Sequence, residues 1–124
     1  MNSDIAAQGA TITNVGAGRF KLRSVFIESN IAAAPAMFLQ IFNKANAVPG
    51  TDTPQEIVFL PANTTPTGYM TKRAKFSGSN KSLLYDTGLS FAITTTYNGN
   101  TDVGAANRPK VRIDYDGSTL GGAI

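Results

Sequence analysis

Short apolar runs separated by glycine, proline and small polar residues recur along this chain. The most apolar run covers residues 36–43, Ala-Met-Phe-Leu-Gln-Ile-Phe-Asn, with Pro35 before it and Pro49 beyond it. These flanks favour a strand over a helix, since periodicity alone does not separate the two in so short a run. Strand side chains alternate between two faces, so Phe38 and Phe42 share one face and the aliphatic residues line the other. We therefore predict a central strand that is covered on both faces.

Similar runs predict further strands. They cover residues 10–15, 19–29, 56–60, 83–85, 89–97 and 109–115. Residues 69–77 are ambiguous, and within 19–29 the apolar alternation changes phase. About six to eight strands, spaced by about 8–12 residues with turn residues between them, are typical of a sandwich or a barrel. We predict an all-β single domain, an antiparallel β-sandwich with Greek-key or jelly-roll-like connections.

The predicted sandwich occupies residues 10–116. Residues 1–9 form an N-terminal arm in this prediction, and residues 117–124 form a glycine-rich C-terminal tail. The run of three threonines that begins at Thr94 is expected on an exposed strand, because β-branched residues favour the extended backbone. The core candidates are large apolar residues on the predicted strands: Phe20, Leu22, Phe38, Phe42, Phe59, Phe91, Ile93, Val111 and Ile113.

The composition describes a polar surface with few charges. Charged residues make up 15% of the 124 residues and the net charge is +3, whereas an average globular protein has about 25% charged residues. Glycine, alanine, threonine and asparagine take their place, as expected of a protein that packs against copies of itself or a larger assembly. There is no cysteine, the first nine residues do not resemble a secretion signal, and no apolar run approaches the ~18 residues of a membrane span. We expect no disulfide and no membrane partner.

The residue types that catalysis needs are scarce. With neither histidine nor cysteine, a Ser-His or Cys-His nucleophile is excluded and a zinc site is not expected. Glu28 and Glu56 are the only glutamates, and both lie at the ends of predicted strands. Asp114 and Asp116, joined by a loop residue such as Asp102, could ligate calcium, but carboxylates at the end of a strand are more commonly solvated. We predict that the chain is not an enzyme and has neither a cofactor nor a metal.

The cationic residues fall into two groups that we predict to contact a partner: Arg19, Lys21 and Arg23, and Lys72, Arg73 and Lys75. Tyr69 and Phe76 flank the second group, and cations beside exposed aromatic rings can also bind nucleic acid. A solvated face, or salt bridges to an acidic partner, is the interpretation we favour. We do not expect nucleic acid as the partner.

Three pieces of the chain together carry a family resemblance. They are Ile41-Phe-Asn-Lys-Ala45, then Pro49-Gly-Thr-Asp-Thr-Pro54 leading into Ile57-Val-Phe-Leu-Pro61, and Thr87-Gly-Leu-Ser-Phe-Ala-Ile-Thr-Thr95. In this order, followed by a long polar loop and a terminal apolar strand, the chain resembles small all-β virion structural proteins of tailed bacteriophages and prophages. The resemblance runs from about Val25 to Tyr115 and carries no catalytic residues.

The resemblance implies a head decoration or cement protein that binds the outer surface of the capsid and stabilises the shell. Its expected partners are the major capsid protein and further copies of itself, as a trimer or dimer, since such proteins sit on symmetry axes. The expected location is the capsid surface of the virion, after synthesis in the host cytoplasm. The expected contact elements are the arm 1–9 and the loops 44–54, 62–68 and 98–107.

Two alternatives stay open. One is a receptor- or glycan-binding β module of a phage tail or fibre, which would need an aromatic-lined groove. The chain has no tryptophan, and most of its tyrosines and phenylalanines fall on predicted strands. The other is a head–tail connector, for which a ring and often a helix would be expected.

Overall fold

The apolar runs form strands in two antiparallel sheets. The computed structural model describes residues 6–7, 9, 12–32, 34–63, 68–75 and 83–118. The strands in these residues are β1 (Ala6–Ala7), β2 (Thr13–Ala17), β3 (Arg19–Ser29), β4 (Met37–Phe42), β5 (Glu56–Leu60), β6 (Met70–Lys75), β7 (Leu83–Tyr85), β8 (Gly88–Thr94) and β9 (Lys110–Ser118). One turn of 3-10 helix, Ala105–Asn107, precedes β9.

The strands divide into a sheet A and a sheet B. Sheet A has the order β1-β9-β3, and the other edge of β3 pairs with β7 along its first half and β6 along its second. Sheet B has the order β2-β8-β4-β5. Six of the eight connections between these strands pass from one sheet to the other, the exceptions being β4 to β5 and β6 to β7. The all-β antiparallel sandwich is thus confirmed, with the sheet-crossing connections of the Greek-key and jelly-roll kind.

The strand bounds lie close to those predicted. β3, β5 and β7 begin and end where the sequence places them, and the ambiguous segment 69–77 contributes β6. Within the predicted arm 1–9, β1 pairs with β9, and the Gly9 carbonyl accepts a hydrogen bond from the Ile93 amide. At the other end β9 continues to Ser118, two residues past the predicted end of the sandwich.

The phase change within β3 is a β-bulge. The pairing of β3 with β9 shifts register between Leu22 and Ser24, which leaves Arg23 as the extra residue. Leu22 before the bulge and Val25 after it are both fully buried. The bulge therefore inverts the alternation, and Phe26 faces outward although simple alternation would place it inward with Leu22.

Both faces of β4 are covered, as predicted, except at Phe38 on the outer face. Met37, Leu39 and Ile41 point into the core between the sheets. Gln40 and Phe42 point to the opposite face, yet both are fully buried. Since β4 lies between β8 and β5, it is the central strand that its composition predicted.

Two loops provide the outer cover of sheet B. The loop 43–55 lies against β8, where the Lys44 carbonyl accepts a hydrogen bond from Ser90 Oγ. The loop 95–101 lies over β4, where the Gly99 carbonyl accepts a hydrogen bond from Gln40 Nε2 at 2.9 Å. The loops meet at Gly50 and Asn100, since a Cβ added to Gly50 would lie 3.2 Å from Asn100 Cβ. Their hydrogen bonds satisfy polar groups that would otherwise be buried without partners.

The loop 43–55 is also braced internally, by Asp52. Its carboxylate accepts hydrogen bonds from the Val48 amide at 2.8 Å and from Lys44 Nζ at 3.0 Å. These two contacts hold the pKa of Asp52 below its usual value. The loop is therefore a fixed surface element of sheet B.

Three side-chain placements differ from the predictions. Phe59 and Phe38 are not core residues: Phe59 is 45% exposed and Phe38 is half-buried on the outer face of sheet B. The aliphatic face of β4 and β5, not the aromatic face, points toward sheet A. The two loops do not fully cover the outer face at Phe38 and Phe59. Thr94 is fully buried, although we expected it on an exposed strand. It lies beneath the loop 95–101, where its hydroxyl accepts a hydrogen bond from Gln40 Nε2 at 2.7 Å.

The core contains one buried tyrosine that we did not predict. Tyr85 is completely buried, and its hydroxyl has no hydrogen-bond partner among the described residues. Burial raises the pKa of the Tyr85 hydroxyl well above its ordinary value, and the nearby Glu56 carboxylate adds to the rise. The folded state therefore holds this proton at a pH where an unfolded tyrosine would release it.

We expect Tyr85→Phe to stabilise the protein. An unpaired buried hydroxyl costs about 1–3 kcal/mol, so the free energy of unfolding at neutral pH should rise by about 1 kcal/mol. The pKa of Tyr85 is raised in the folded state, so above pH ~10, the pKa of an unfolded tyrosine, the unfolded chain releases this proton first. The wild type therefore loses stability as pH rises above that value, and keeps it below. The variant should lose less stability in that alkaline window. Urea unfolding at neutral and alkaline pH measures both effects.

Tyr97→Phe is the control for this replacement, because Tyr97 is 70% exposed and should show neither change. If Tyr85→Phe were less stable than the wild type at neutral pH, the buried hydroxyl would have a partner, contrary to our interpretation.

Candidate partner interface

The outward-pointing residues of β3, β6 and β9 make the outer surface of sheet A rich in lysine and arginine. We call this surface the basic face. Six lysines and arginines whose side chains the structure describes lie on it: Arg19, Lys21, Arg23, Arg73, Lys110 and Arg112. Three carboxylates share the face, those of Glu28, Asp114 and Asp116. The cationic side chains of the described residues therefore exceed the carboxylates by three, which equals the excess of the whole chain.

Phe26 lies between two arginine residues of neighbouring strands at the centre of the basic face. The register places Phe26 of β3 opposite Arg73 of β6 on one side and Arg112 of β9 on the other. The guanidinium carbon of Arg73 lies 4.7 Å from the centroid of the Phe26 ring. This is a cation–π contact, which orients the guanidinium over the ring.

Carboxylates of β9 hold other cations of the face in place. Arg23, the bulge residue, forms an ion pair with Asp116. Asp114 accepts a hydrogen bond from Ser24 Oγ at 2.9 Å, and its carboxylate lies 3.8 Å from Arg112 Nε. Ion pairs this exposed contribute little to stability. Their consequence is that they favour particular orientations of Arg23 and Arg112 on the basic face.

The structure brings the two predicted cationic groups onto one sheet, since β3 pairs with β6. Four of the six predicted contact residues lie on the basic face: Arg19, Lys21, Arg23 and Arg73. Lys72 lies opposite the inward-pointing Ile27, so its side chain points away from the basic face. It is exposed at the edge of the sheet. The backbone of Lys75 lies opposite Ser24, and its side chain is outside the described part of the structure. Contact of these residues with a partner stays a prediction.

Two cations of the face were not among the predicted contact residues. Lys110 and Arg112 alternate with the buried Val111 and Ile113, so the sequence predicts that they point outward. The sequence carries no local signal that β9, the last strand, pairs with β3, one of the first. Strand pairing between distant segments depends on the whole fold.

A small polar cleft borders the basic face at the C-terminal end of β3. Its volume is about 180 Å³, and it is lined by Glu28, Asn30, Tyr69, Arg108 and Lys110. The Tyr69 hydroxyl donates a hydrogen bond to Glu28 at 2.7 Å, which raises the pKa of Tyr69. Arg108 donates to Asp102 at 2.8 Å. The cleft thus offers both donors and an acceptor to a polar group of a partner.

The carboxylates considered for calcium do not converge. Asp102 pairs with Arg108, whereas Asp114 and Asp116 lie on the basic face with cationic partners. Among the described residues, no three carboxylate side chains lie close enough together to hold a metal ion.

An aromatic cluster lies on the outer face of sheet B. It consists of Phe38, Phe59 and Tyr97, with the ring centroids of Phe38 and Phe59 5.1 Å apart and those of Phe38 and Tyr97 5.6 Å apart. Phe59 and Tyr97 are 45% and 70% exposed. β4, β5 and the loop 95–101 contain neither lysine nor arginine. The exposed aromatic part of the sheet B side therefore carries no lysine or arginine, in contrast to the basic face of sheet A.

No protein-family model, curated protein or solved structure matches this chain. In the residues that the structure describes, no helix is long and apolar enough to cross a membrane.

Proposed function

We propose that this chain is a non-enzymatic structural protein of a bacteriophage particle, a head decoration or cement protein that binds the outer surface of the capsid and stabilises the shell. The observation that carries the proposal is the basic face, where cations from three neighbouring strands lie on one outer surface of sheet A. The three sequence pieces that resemble virion structural proteins of tailed phages support it. The partner is the major capsid protein.

Such a protein acts through the area it covers. A stable contact buries about 1,200–2,000 Å² in total, and when it spans two capsid subunits, opening the joint exposes that area again. Many copies around a closed shell add avidity to each weak contact. A preformed sandwich with braced loops suits this role, because little conformational entropy is lost on binding.

The charge of the basic face indicates which kind of shell surface this chain would bind. A face with an excess of positive charge, carrying guanidinium groups, complements carboxylates on the shell. The contacts of Arg23 with Asp116 and of Arg73 with the Phe26 ring favour particular side-chain orientations, which lowers the ordering cost of binding.

Rebinding of the purified chain to particles stripped of it tests the proposal. We expect Arg73→Glu to weaken rebinding by about tenfold, since it places a carboxylate at the centre of the basic face. Lys72→Glu is the matched control: it makes the same change in net charge at the neighbouring residue of β6, which is exposed but points away from the basic face. It should bind as the wild type does. Binding is measured by co-sedimentation with the particles over a range of salt concentrations.

Equal loss of binding for both variants would mean that net charge, and not the basic face, directs the chain to the shell. Absence of rebinding by the wild type, at low salt as well, would contradict a decoration role.

A second candidate function is favoured by one observation. The exposed rings of Phe59 and Tyr97 could stack on a sugar, as a receptor- or glycan-binding module of a tail or fibre would require. Binding to host surface glycans that Tyr97→Ala abolishes, together with copies confined to the tail, would support this function over the first.

A further inference from the structure

Among the strands that the structure describes, one edge strand lacks the features that normally prevent pairing with another chain. Such features are short length, bulges and charged side chains. β1 and β7 have two and three residues, and β2 shifts register between Asn14 and Gly16. β6 carries Lys72 and Arg73, both exposed. Only β5 (Glu56–Leu60), among the edges described, is regular, five residues long and apolar beyond its first residue.

The free edge of β5 presents backbone groups of Ile57 and Phe59. The other edge is paired with β4, and no described strand lies on the free side. The Ile57 amide donates to the Glu56 side chain at 3.2 Å, so it points away from β4. Backbone groups of a strand alternate between its two edges. The amide and carbonyl of Phe59 therefore point the same way as those of Ile57.

We propose that β5 pairs with β5 of a second copy of this chain, in antiparallel orientation about a two-fold axis at Val58. In this register Ile57 of one copy lies opposite Phe59 of the other, and each pair exchanges two backbone hydrogen bonds. Both side chains point to the outer face, where apolar cross-strand pairs are stabilising. The four strands of each sheet B then join into one continuous sheet.

The charge distribution selects a second copy as the occupant. Two copies carry the same net charge of +3 and repel each other most through their basic faces. β5, β4 and the loop 95–101 contain no cation. The adjacent β6 contributes one described cation that points away from the basic face, Lys72, so two copies repel each other less at this edge than through their basic faces. The aromatic clusters of the two copies then lie next to each other across the axis. This surface would supply the self-association that the proposed function expects, and the basic face of each copy stays free.

Sedimentation of the purified chain, without particles, tests the dimer. We expect a concentration-dependent species of twice the 13.0 kDa monomer mass. Phe59→Lys should raise the dimer dissociation constant by at least about tenfold, because two lysines then face the joint from opposite sides. Leu84→Lys is the matched control. It adds the same charge at an equally exposed strand residue, 49% against 45%, on β7 of sheet A, and should leave the dimer intact.

Amide hydrogen exchange of the wild type gives a second test that needs no variant. The amides of Ile57 and Phe59 should exchange more slowly as protein concentration rises, whereas that of Val58, which points toward β4, should not change. A wild type that stays monomeric, a trimer, an unaffected Phe59→Lys dimer, or exchange at Ile57 and Phe59 that does not depend on concentration would each overturn the proposal. Because no particle is involved, failure here leaves binding to the shell as a separate question.

Discussion

Phe91→Ala is expected to lower the free energy of unfolding by about 3–5 kcal/mol. Phe91 is fully buried in β8, which lies between β2 and β4, and its ring belongs to the core cluster between the sheets. Truncation there leaves a cavity that the surrounding strands cannot fill. Domains of this kind are stable by about 5–15 kcal/mol, so the variant should lose a large share of its stability.

The same truncation at Phe59 is the matched control. We expect it to cost about 1 kcal/mol, the scale of one aromatic pair contact, because Phe59 is 45% exposed and touches Phe38 on the outer face. Urea unfolding of both variants, at a concentration low enough to exclude self-association, measures the difference. Equal costs would contradict the described orientation of β5, since they would require Phe59 to be as buried as Phe91.

Gly88→Ala is expected to destabilise the protein by about 1–3 kcal/mol through overpacking. A Cβ at position 88 would lie 2.5 Å from the Ala45 amide nitrogen and 3.0 Å from the Gly16 carbonyl oxygen. These atoms belong to the backbone of the loop 43–55 and of β2, so no side chain can rotate away to make room. The loop that covers sheet B must move instead.

Two measurements together check the Gly88 prediction. Urea unfolding gives the loss of stability, and amide exchange should become faster in the loop 43–55, at Asp52 among other residues. Gly104→Ala is the control for loop exchange: alanine is strained at its φ of +91°, so stability should fall, but the added Cβ would meet only Asn107 Nδ2, at 3.5 Å, and exchange in the loop 43–55 should not become faster. A Gly88→Ala variant with wild-type stability would contradict the close approach of loop and strand.

Local alternation predicted most strands because each run in the sequence carries its own signal. β3 illustrates this: its bounds and its change of phase could both be predicted, and the structure adds that the change is a bulge at Arg23. The pairing of β3 with β9 carries no such local signal. The basic face could therefore be predicted only in part, and Lys110 and Arg112 were missing from it.

The errors at Phe38 and Phe59 have a related physical cause. An apolar strand with large side chains on both faces has two candidate core faces, and the sequence does not say which one meets the other sheet. In β4 the aliphatic face meets sheet A, while loops cover most of the aromatic face. The loops that bury Gln40 and Thr94 leave Phe59 and Tyr97 exposed, and cover of this kind depends on how distant loops fold.

The two outer faces suggest a division of roles in the proposed particle. The basic face of sheet A is suited to an acidic shell, and the open edge at β5 is suited to a second copy. A decoration protein with both would bind the shell and bridge neighbouring sites through its own dimer. The basic face and the free edge of β5 are different surfaces of one sandwich, so the two contacts can form together.

A density map of the intact particle that contains this chain tests the decoration role most directly. The predicted result is copies spread over the capsid shell, each with the basic face of sheet A against the major capsid protein and sheet B directed away from the shell. Copies confined to a single vertex or to the tail, or copies on the shell with the basic face directed toward solvent, would contradict it.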